Sequence, residues 1–391
     1  MLSKQPLINI LNWKIVEYGP INSVQQVGQQ VNWGNLCQLA SGLNNGLPCI
    51  ILDKTTNGLH NLIRLLQFSD QTQWIARINL RRSTNDLAKL RSEVDTMRLI
   101  KDRTDIPIPR VFAYEVNKEN PIGAPYILME FLPGNTAMDA AGGYEVHKGR
   151  IPLAHCPNFY RSVAHCHVQL TALRFPRIGT VIRREDGEYD IGPFPDIGGP
   201  FDTATSFFEA WAEHTKFPLE KDEILLRMGQ GPADQVLTAI NEFPSRIKGM
   251  ASQLSYNDHG PFPICHADFF HSNIIVKENF EVLGIIDWEG ACTVPLELIT
   301  FPRFLNAMPV SFDSPGNYDE DKQPLDEEEK QRWKDREEYV QMVKLAENKD
   351  SVLSKCLSNE KGLALAYCMT TYEAGKLGFY DKVLAELEKA D

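Results

Sequence analysis

The chain has no C-x-x-C pair: its eight cysteines, at 37, 49, 156, 166, 265, 292, 356 and 368, are spread singly along 391 residues. That spacing excludes a disulfide framework and reads as reduced, mostly buried thiols. No N-x-[S/T] sequon occurs, in keeping with a protein that is not secreted. No apolar run approaches the roughly eighteen residues a membrane helix needs, and Met1 to Pro6 lead into no secretory apolar core. The expectation is a cytoplasmic protein with no membrane partner.

Positive charge is in deficit, with 40 Lys and Arg against 52 Asp and Glu and a formal net charge of −12. Nucleic-acid binders cluster Lys and Arg against phosphate, so no nucleic-acid partner is expected. Much of the acidity lies between Asp313 and Asp350, where thirteen acidic residues face seven basic ones. A solvated helix face explains that run more simply than a surface for cations. Glycine-rich phosphate loops are missing too: neither G-x-G-x-x-G nor G-x-x-x-x-G-K-[S/T] occurs.

What is present is an ordinary globular composition, 43% hydrophobic and 24% charged, on a chain long enough for two domains or two lobes. Residues 61–68 and 72–80 alternate as two strands joined by the polar turn Ser69 to Gln71. The N-cap candidates Ser83 to Asp86 precede Leu87, Leu90, Val94 and Met97 at helical spacing, which predicts a helix over 86–101. Pro107 and Pro109 follow it, and strands are predicted over 111–116 and 125–131, closing at Pro133-Gly134. Helices dominate thereafter, over 159–173, 203–214, 233–250 and 361–390. A β-rich amino-terminal part feeding a mainly helical remainder predicts an α+β chain of two lobes with a cleft between them. The lobes are expected at 1–132 and 133–391.

Residues 264–288 interrupt the helical part with a second hairpin pattern. Asp268 and Asn273 flank a tight loop, Ile274 to Val276 and Val282 to Ile286 form antiparallel strands, and the hairpin returns Asp287 to the loop. Asn273 and Asp287 offer the hard oxygens that Mg²⁺ prefers beside phosphate oxygens. Phosphoryl transfer asks a protein mainly to position reactants and neutralise charge, and Asp268 suits accepting a proton from, or orienting, an acceptor hydroxyl. The spacing H-x-D-x-x-x-x-N from His266 to Asn273, followed by a second Asp after a hairpin, matches the protein-kinase catalytic loop in all but its Arg. Turn-forming Asp and Asn residues capping a buried hairpin would explain the loop, but not the return of Asp287. His266 reads as a brace for the loop, and His271 equally as loop structure or substrate contact.

The run HADFFHSNIIV at 266–276, with GIIDWE at 284–289 and Pro295-Leu-Glu ahead of Phe301-Pro, resembles the aminoglycoside phosphotransferase family, particularly its fungal members. The resemblance extends more weakly from about Gly58 to the Phe301 region. It implies a protein-kinase-like fold, shared with choline kinases and protein kinases, together with ATP, Mg²⁺ and a small-molecule hydroxyl acceptor. In that family Glu130 to Leu132 would join the lobes and offer backbone to adenine.

A kinase-like lobe also needs a basic residue on its third strand and an acidic partner on the next helix. Arg77 lies in the strand, and Glu93 shares the helix face of Leu90, Val94 and Met97, where an inward carboxylate demands a partner. Arg replaces the usual Lys, and guanidinium is the longer, less compact cation. Cover over the phosphates falls to residues 55–61, with Gly58 permitting a tight turn before Asn61.

The resulting expectation is an ATP-dependent phosphotransferase acting on a hydroxyl of a small molecule. A catalytically silent, kinase-like nucleotide- or partner-binding protein is the alternative, supported by Arg77 and the missing glycine-rich loop. A protein kinase is disfavoured, because Ala267 stands in place of the catalytic-loop Arg and Trp288-Glu289 follow the second Asp. His155-Cys156 and His165 to His167 suggest metal but lack tetrahedral spacing.

Overall fold

The computed structural model describes residues 11–16, 22–80, 84–229 and 231–389. Residues 1–10, where no secretory core is expected, Ser83, the side chains of Thr84 to Asp86 proposed as N-caps, and Ala390 fall outside the described residues. The chain divides into two compact units, Met1–Phe159 with His271–Gly290, and Tyr160–Phe270 with Ala291–Asp391.

In the first unit, helices α1 (Asn22–Gln30) and α2 (Trp33–Leu43) precede a five-stranded antiparallel sheet. Its strands are β1 (Cys49–Asn57), β2 (Asn61–Phe68), β3 (Gln73–Asn79), β4 (Val111–Glu115) and β5 (Tyr126–Glu130), in spatial order β1-β2-β3-β5-β4, with helix α3 (Thr84–Arg103) between β3 and β4. The β2–β3 turn is set by Asp70, whose Oδ1 accepts the Thr72 N–H at 2.9 Å, and by Gln71 at φ 70°. Register follows as Leu62 opposite Ile78 and Leu66 opposite Trp74. Strand β3 is central and buried from Trp74 to Asn79. On α3, Leu90, Glu93, Val94 and Met97 are all buried, the one face that helical periodicity requires.

The rest of the chain, in order, holds β6 (Asn135–Thr136), α4 (Gly143–His147), α5 (Cys156–Ala172), β7 (Arg174–Phe175), β8 (Thr180–Arg183), β9 (Tyr189–Gly192), α6 (Ala204–His214), α7 (Lys221–Met228), α8 (Ala233–Gly249) and β10 (Phe262–Cys265). After them come β11 (Ile274–Val276), β12 (Val282–Ile285), β13 (Cys292–Thr293), α9 (Glu327–Ala346), α10 (Leu353–Leu357), α11 (Glu360–Glu373) and α12 (Tyr380–Leu387). The α+β expectation, β-rich first and mainly helical after, therefore holds.

Three details depart from the sequence reading. The boundary expected at residue 132 is displaced, because β6 pairs with β11 (Ile275 opposite Thr136) and keeps residues 133–159 with the first unit. That pairing needs Gly134, where a Cβ would stand 2.6 Å from the Val276 carbonyl oxygen. The single stretch expected over 361–390 is two helices, broken where Gly375 and Gly378 take φ of 71° and 97°. A second sheet, in order β7-β10-β13-β8-β9, lies within the helical part.

The second unit's core packs α6, α8, α11 and α12 around Phe208, Trp211, Phe243, Tyr372 and Tyr380. The two buried phenols there are satisfied, Tyr372 donating to the Ile240 carbonyl at 3.0 Å and Tyr380 to that of Lys376 at 2.7 Å. Helix α6, within the helical segment expected over 203–214, is capped by Thr203, whose Oγ1 accepts the Ser206 N–H at 3.0 Å.

Candidate active site

Within the first unit, β11 and β12 form the hairpin that delivers Asp287. The Ile286 N–H donates to the Asn273 carbonyl at 2.9 Å, which brings the end of β12 back to the residue that opens β11. Asp287 then takes φ 62°, a left-handed conformation that costs an L-residue about 1–2 kcal/mol and that Asp tolerates better than most. The buried Trp288 holds this turn, its Nε1 donating to the Ile285 carbonyl at 3.0 Å. Ile285 in turn donates to the Pro107 carbonyl at 2.9 Å, so the hairpin is fixed to the segment after α3.

The Asp287 carboxylate is divided in character. Its side chain is 41% exposed, yet Oδ1 is buried with no hydrogen-bond partner among the described residues and lies 3.8 Å from Arg77 Nη1. A buried carboxylate oxygen left unsatisfied is costly, and one in a folded protein calls for an unseen cation or donor. Asn273 beside it is 8% exposed.

Arg77 and Glu93 meet as the sequence reading expects. Nη1 donates to Oε1 at 2.7 Å and Nη2 to Oε2, with the two residues 6% and 2% exposed. Burial disfavours the guanidinium charge, but Glu93, aided by Asp287 and Glu289, outweighs it and holds the Arg77 pKa above its ordinary value. Burial pushes the Glu93 carboxyl up while Arg77 opposes it; the guanidinium itself stays charged, since it does not deprotonate in proteins.

The nucleotide-side residues are placed less uniformly. Residues 55–57, read as loop, are the end of β1, and the connection to β2 is only residues 58–60, closed by the Gly58 N–H on the Asn61 carbonyl at 3.0 Å. A Cβ on Gly58 would meet nothing within 4 Å, and its φ is not left-handed, so the turn does not require glycine there. Asn61 Oδ1 is buried with no hydrogen-bond partner among the described residues. Glu130 ends β5 and turns its Oε2 to the Arg110 N–H at 3.1 Å. Leu132 packs on the hairpin: a Cβ added to Gly284 would fall 2.1 Å from Leu132 Cδ1, so the glycine makes room for it.

Asp268 belongs to the second unit. Its N–H donates to His266 Nδ1 at 3.2 Å, giving His266 the bracing role expected of it. Its Oδ1 lies 3.4 Å from Arg303 Nε, both side chains being 47% exposed, a pair worth no more than about 1 kcal/mol. Arg303 is absent from the sequence reading, although it follows directly on Phe301-Pro; its contact is non-local and no spacing rule announces it. Phe269 anchors the loop below, its ring 5.7 Å from His266 and 5.4 Å from His167. His167 Nδ1 bonds the Tyr339 hydroxyl at 2.9 Å, and burial drives its pKa down to about 3. In the first unit His271 fastens the other end of the loop, its Nε2 bonding the Gly149 carbonyl at 2.6 Å, with burial lowering its pKa.

Among the described residues, the His and Cys groups set aside in the sequence form no group of three or more that could hold a metal ion. His155 stacks on Phe280 at 4.5 Å, His167 serves Tyr339, Cys166 is buried with its thiol pushed up to about 12, and His165 is exposed.

A family model described as Phosphotransferase enzyme family matches residues 55–297. Among curated relatives, Altered inheritance of mitochondria protein 9, mitochondrial, of Vanderwaltozyma polyspora is 23% identical over 314 residues, 66% of this chain and 48% of that protein. A subtelomeric hrmA-associated cluster protein of Aspergillus fumigatus is 24% identical over 344 residues, 72% of this chain and 66% of that protein. The chain thus spans about half to two thirds of the length of these relatives. Of solved structures, a thermostable mutant of aminoglycoside phosphotransferase APH(4)-Ia, apo form, aligns with 90% of this chain and 100% of its own at a TM-score of 0.46 and 14% identity. The mitochondrial name of the yeast relatives corrects the expectation of a cytoplasmic protein, which rested only on missing signals.

Proposed function

The chain belongs to the phosphotransferase enzyme family, and on that footing we propose that it transfers the γ-phosphate of ATP to a hydroxyl of a small molecule. The observation that carries the proposal is the orphaned Asp287 Oδ1 beside an ion-paired Arg77. Carboxylate and amide oxygens are the donors Mg²⁺ accepts, so Asp287 and Asn273 fit that ion and would hold it. When bound, Mg²⁺ neutralises charge on the β and γ phosphates.

The protein's own residues divide the remaining work. Arg77, kept charged and fixed in direction by Glu93, presents positive charge to the α and β phosphates. Gly58 and Asn61 cover the phosphates, and the backbone from Glu130 to Leu132 meets the base. Asp268 orients the acceptor hydroxyl and takes its proton. The acceptor oxygen forms a bond to the γ-phosphorus, the bond from that phosphorus to the β–γ bridging oxygen breaks, and ADP leaves with the electron pair. Arg303 keeps the Asp268 carboxylate oriented. The relatives' mitochondrial name makes the mitochondrion the compartment in which to seek the acceptor.

A silent nucleotide-binding protein is the second reading, favoured by one observation: both terminal nitrogens of Arg77 are already engaged by Glu93. ATP consumption with a panel of hydroxylated metabolites and aminoglycosides separates the two. Acceptor-dependent ADP release supports the transferase; tight MgATP binding without turnover on any acceptor supports the silent protein.

A further inference from the structure

A cavity of about 620 Å³ opens in the second unit between the segment 306–332 and the α11–α12 turn. Its size suits a small organic ligand. It begins next to the catalytic loop's partner: the Asn306 N–H closes a turn on the Arg303 carbonyl at 3.3 Å, and Arg303 Nε is the group 3.4 Å from Asp268. One short turn of chain, rising about 2 Å per residue, therefore separates the cavity wall from the side chain that orients Asp268.

Counted by formal charge, the lining is acidic, with Asp313, Asp326 and Glu329 against Arg332 and Lys376. Each of these carboxylates keeps its charge but is already hydrogen-bonded or ion-paired within the protein. Asp313 accepts from the Ser314 N–H at 2.7 Å through Oδ1 and, through Oδ2, from the Tyr318 hydroxyl at 2.9 Å and Asn317 Nδ2 at 3.3 Å. Asp326 caps α9, its Oδ1 accepting the N–H groups of Glu328 and Glu329 at 2.9 and 3.0 Å. Glu329 is ion-paired with Arg332 one turn along the same helix.

Lys376 has no such partner. Its ammonium meets the Tyr367 hydroxyl and the faces of Tyr367 and Phe379, at 4.8 and 5.5 Å, and makes no ion pair among the described residues. Arg336, next to Arg332 on α9, likewise makes no hydrogen bond or ion pair among the described residues and lies 4.3 Å over Phe301. Burial, opposed by Glu329 and Glu360, lowers its pKa to about 10, so it stays a cation at neutral pH. Asn306 Oδ1 is buried on the cavity wall with no hydrogen-bond partner among the described residues and is able to accept one hydroxyl hydrogen.

We propose that this cavity is the acceptor site and that it takes a small hydroxylated molecule bearing an oxyanion, carboxylate or phosphate, which Lys376 binds while Asn306 receives a hydroxyl. The assignment rests on the phosphotransferase reading for the word acceptor, but the anion preference stands on Lys376, a lining cation with no ion pair among the described residues. Tyr367 and Phe379 offer flat apolar faces to the carbon skeleton, and the committed carboxylates discourage a polyamine from displacing bonds already made.

Isothermal titration of the full chain with glycerate, gluconate and glucose 6-phosphate, and with glucose and glucosamine as neutral and cationic controls, tests the proposal. At least one anionic probe should bind at least tenfold more tightly than both controls; gluconate against glucose 6-phosphate tells carboxylate from phosphate. Lys376→Glu should weaken that binding at least tenfold, and Lys376→Arg should restore it to within about threefold. Tighter binding of glucosamine, no binding of any anionic probe, or anion binding indifferent to Lys376→Glu would each overturn the assignment. Anion binding with no phosphate ever transferred would instead overturn the phosphotransferase reading and leave the anion site standing, whereas transfer to glucose or glucosamine alone would do the reverse.

Discussion

Glu93 engages both terminal nitrogens of Arg77 from the buried face of α3, sixteen residues away in sequence, while the same guanidinium stands 3.8 Å from the unsatisfied oxygen of Asp287. One cation thus connects the sheet, the helix and the turn at Asp287 in the first unit. Removing one partner of such a pair strands a buried charge. Arg77→Ala should therefore lower unfolding free energy by about 3–5 kcal/mol in urea titration. The double variant Arg77→Met with Glu93→Leu should recover most of that stability yet bind MgATP at least tenfold more weakly. Retained nucleotide affinity in the double variant would confine the pair to a structural role.

Asp287 combines a left-handed backbone with a carboxylate oxygen that accepts no hydrogen bond among the described residues. Asn tolerates the same φ, so Asp287→Asn should change stability by no more than about 0.5 kcal/mol. The metal dependence of nucleotide binding should disappear, because the anionic ligand has gone. Calorimetric titration of ATP with and without Mg²⁺ reads both states. An unchanged Mg²⁺ effect in the variant would remove Asp287 from the metal site.

Below the catalytic segment, His167 is neutral in the folded protein, with a pKa near 3 from burial, against about 6.5 when unfolded. The unfolded state therefore binds the proton first as pH falls. Stability from this group is complete above pH 6.5 and declines between 6.5 and 3 by up to about 1.4 kcal/mol per unit. His167→Gln, which cannot titrate, should show a shallower loss of urea midpoint between pH 6.5 and 5 than the parent. Parallel slopes would mean that His167 gains access to solvent without unfolding.

The hairpins at 61–79 and 274–285 were legible because both their strands and their turns carry local signals, alternation in one and a chemical motif in the other. Strand β1 was not, since its burial does not alternate cleanly, and its last residues passed for a phosphate loop. The sheet β7-β10-β13-β8-β9 escaped notice because its strands are two to four residues long, too short for a period of two to register. The site followed the same rule. The meeting of Arg77 with Glu93 and the return of Asp287 were legible because burial or motif spacing demanded them, whereas the contact of Arg303 with Asp268 spans 35 residues that no spacing rule links.

The account turns on Asp268, and acceptor-dependent phosphate transfer by Asp268→Asn tests it most directly. The pair with Arg303 is half exposed, so the variant should fold with normal stability and bind MgATP to within about threefold of the parent. Transfer of phosphate to the acceptor should fall by at least about a hundredfold, the scale of a general base removed from its hydroxyl. Undiminished transfer by a folded Asp268→Asn protein would contradict the mechanism.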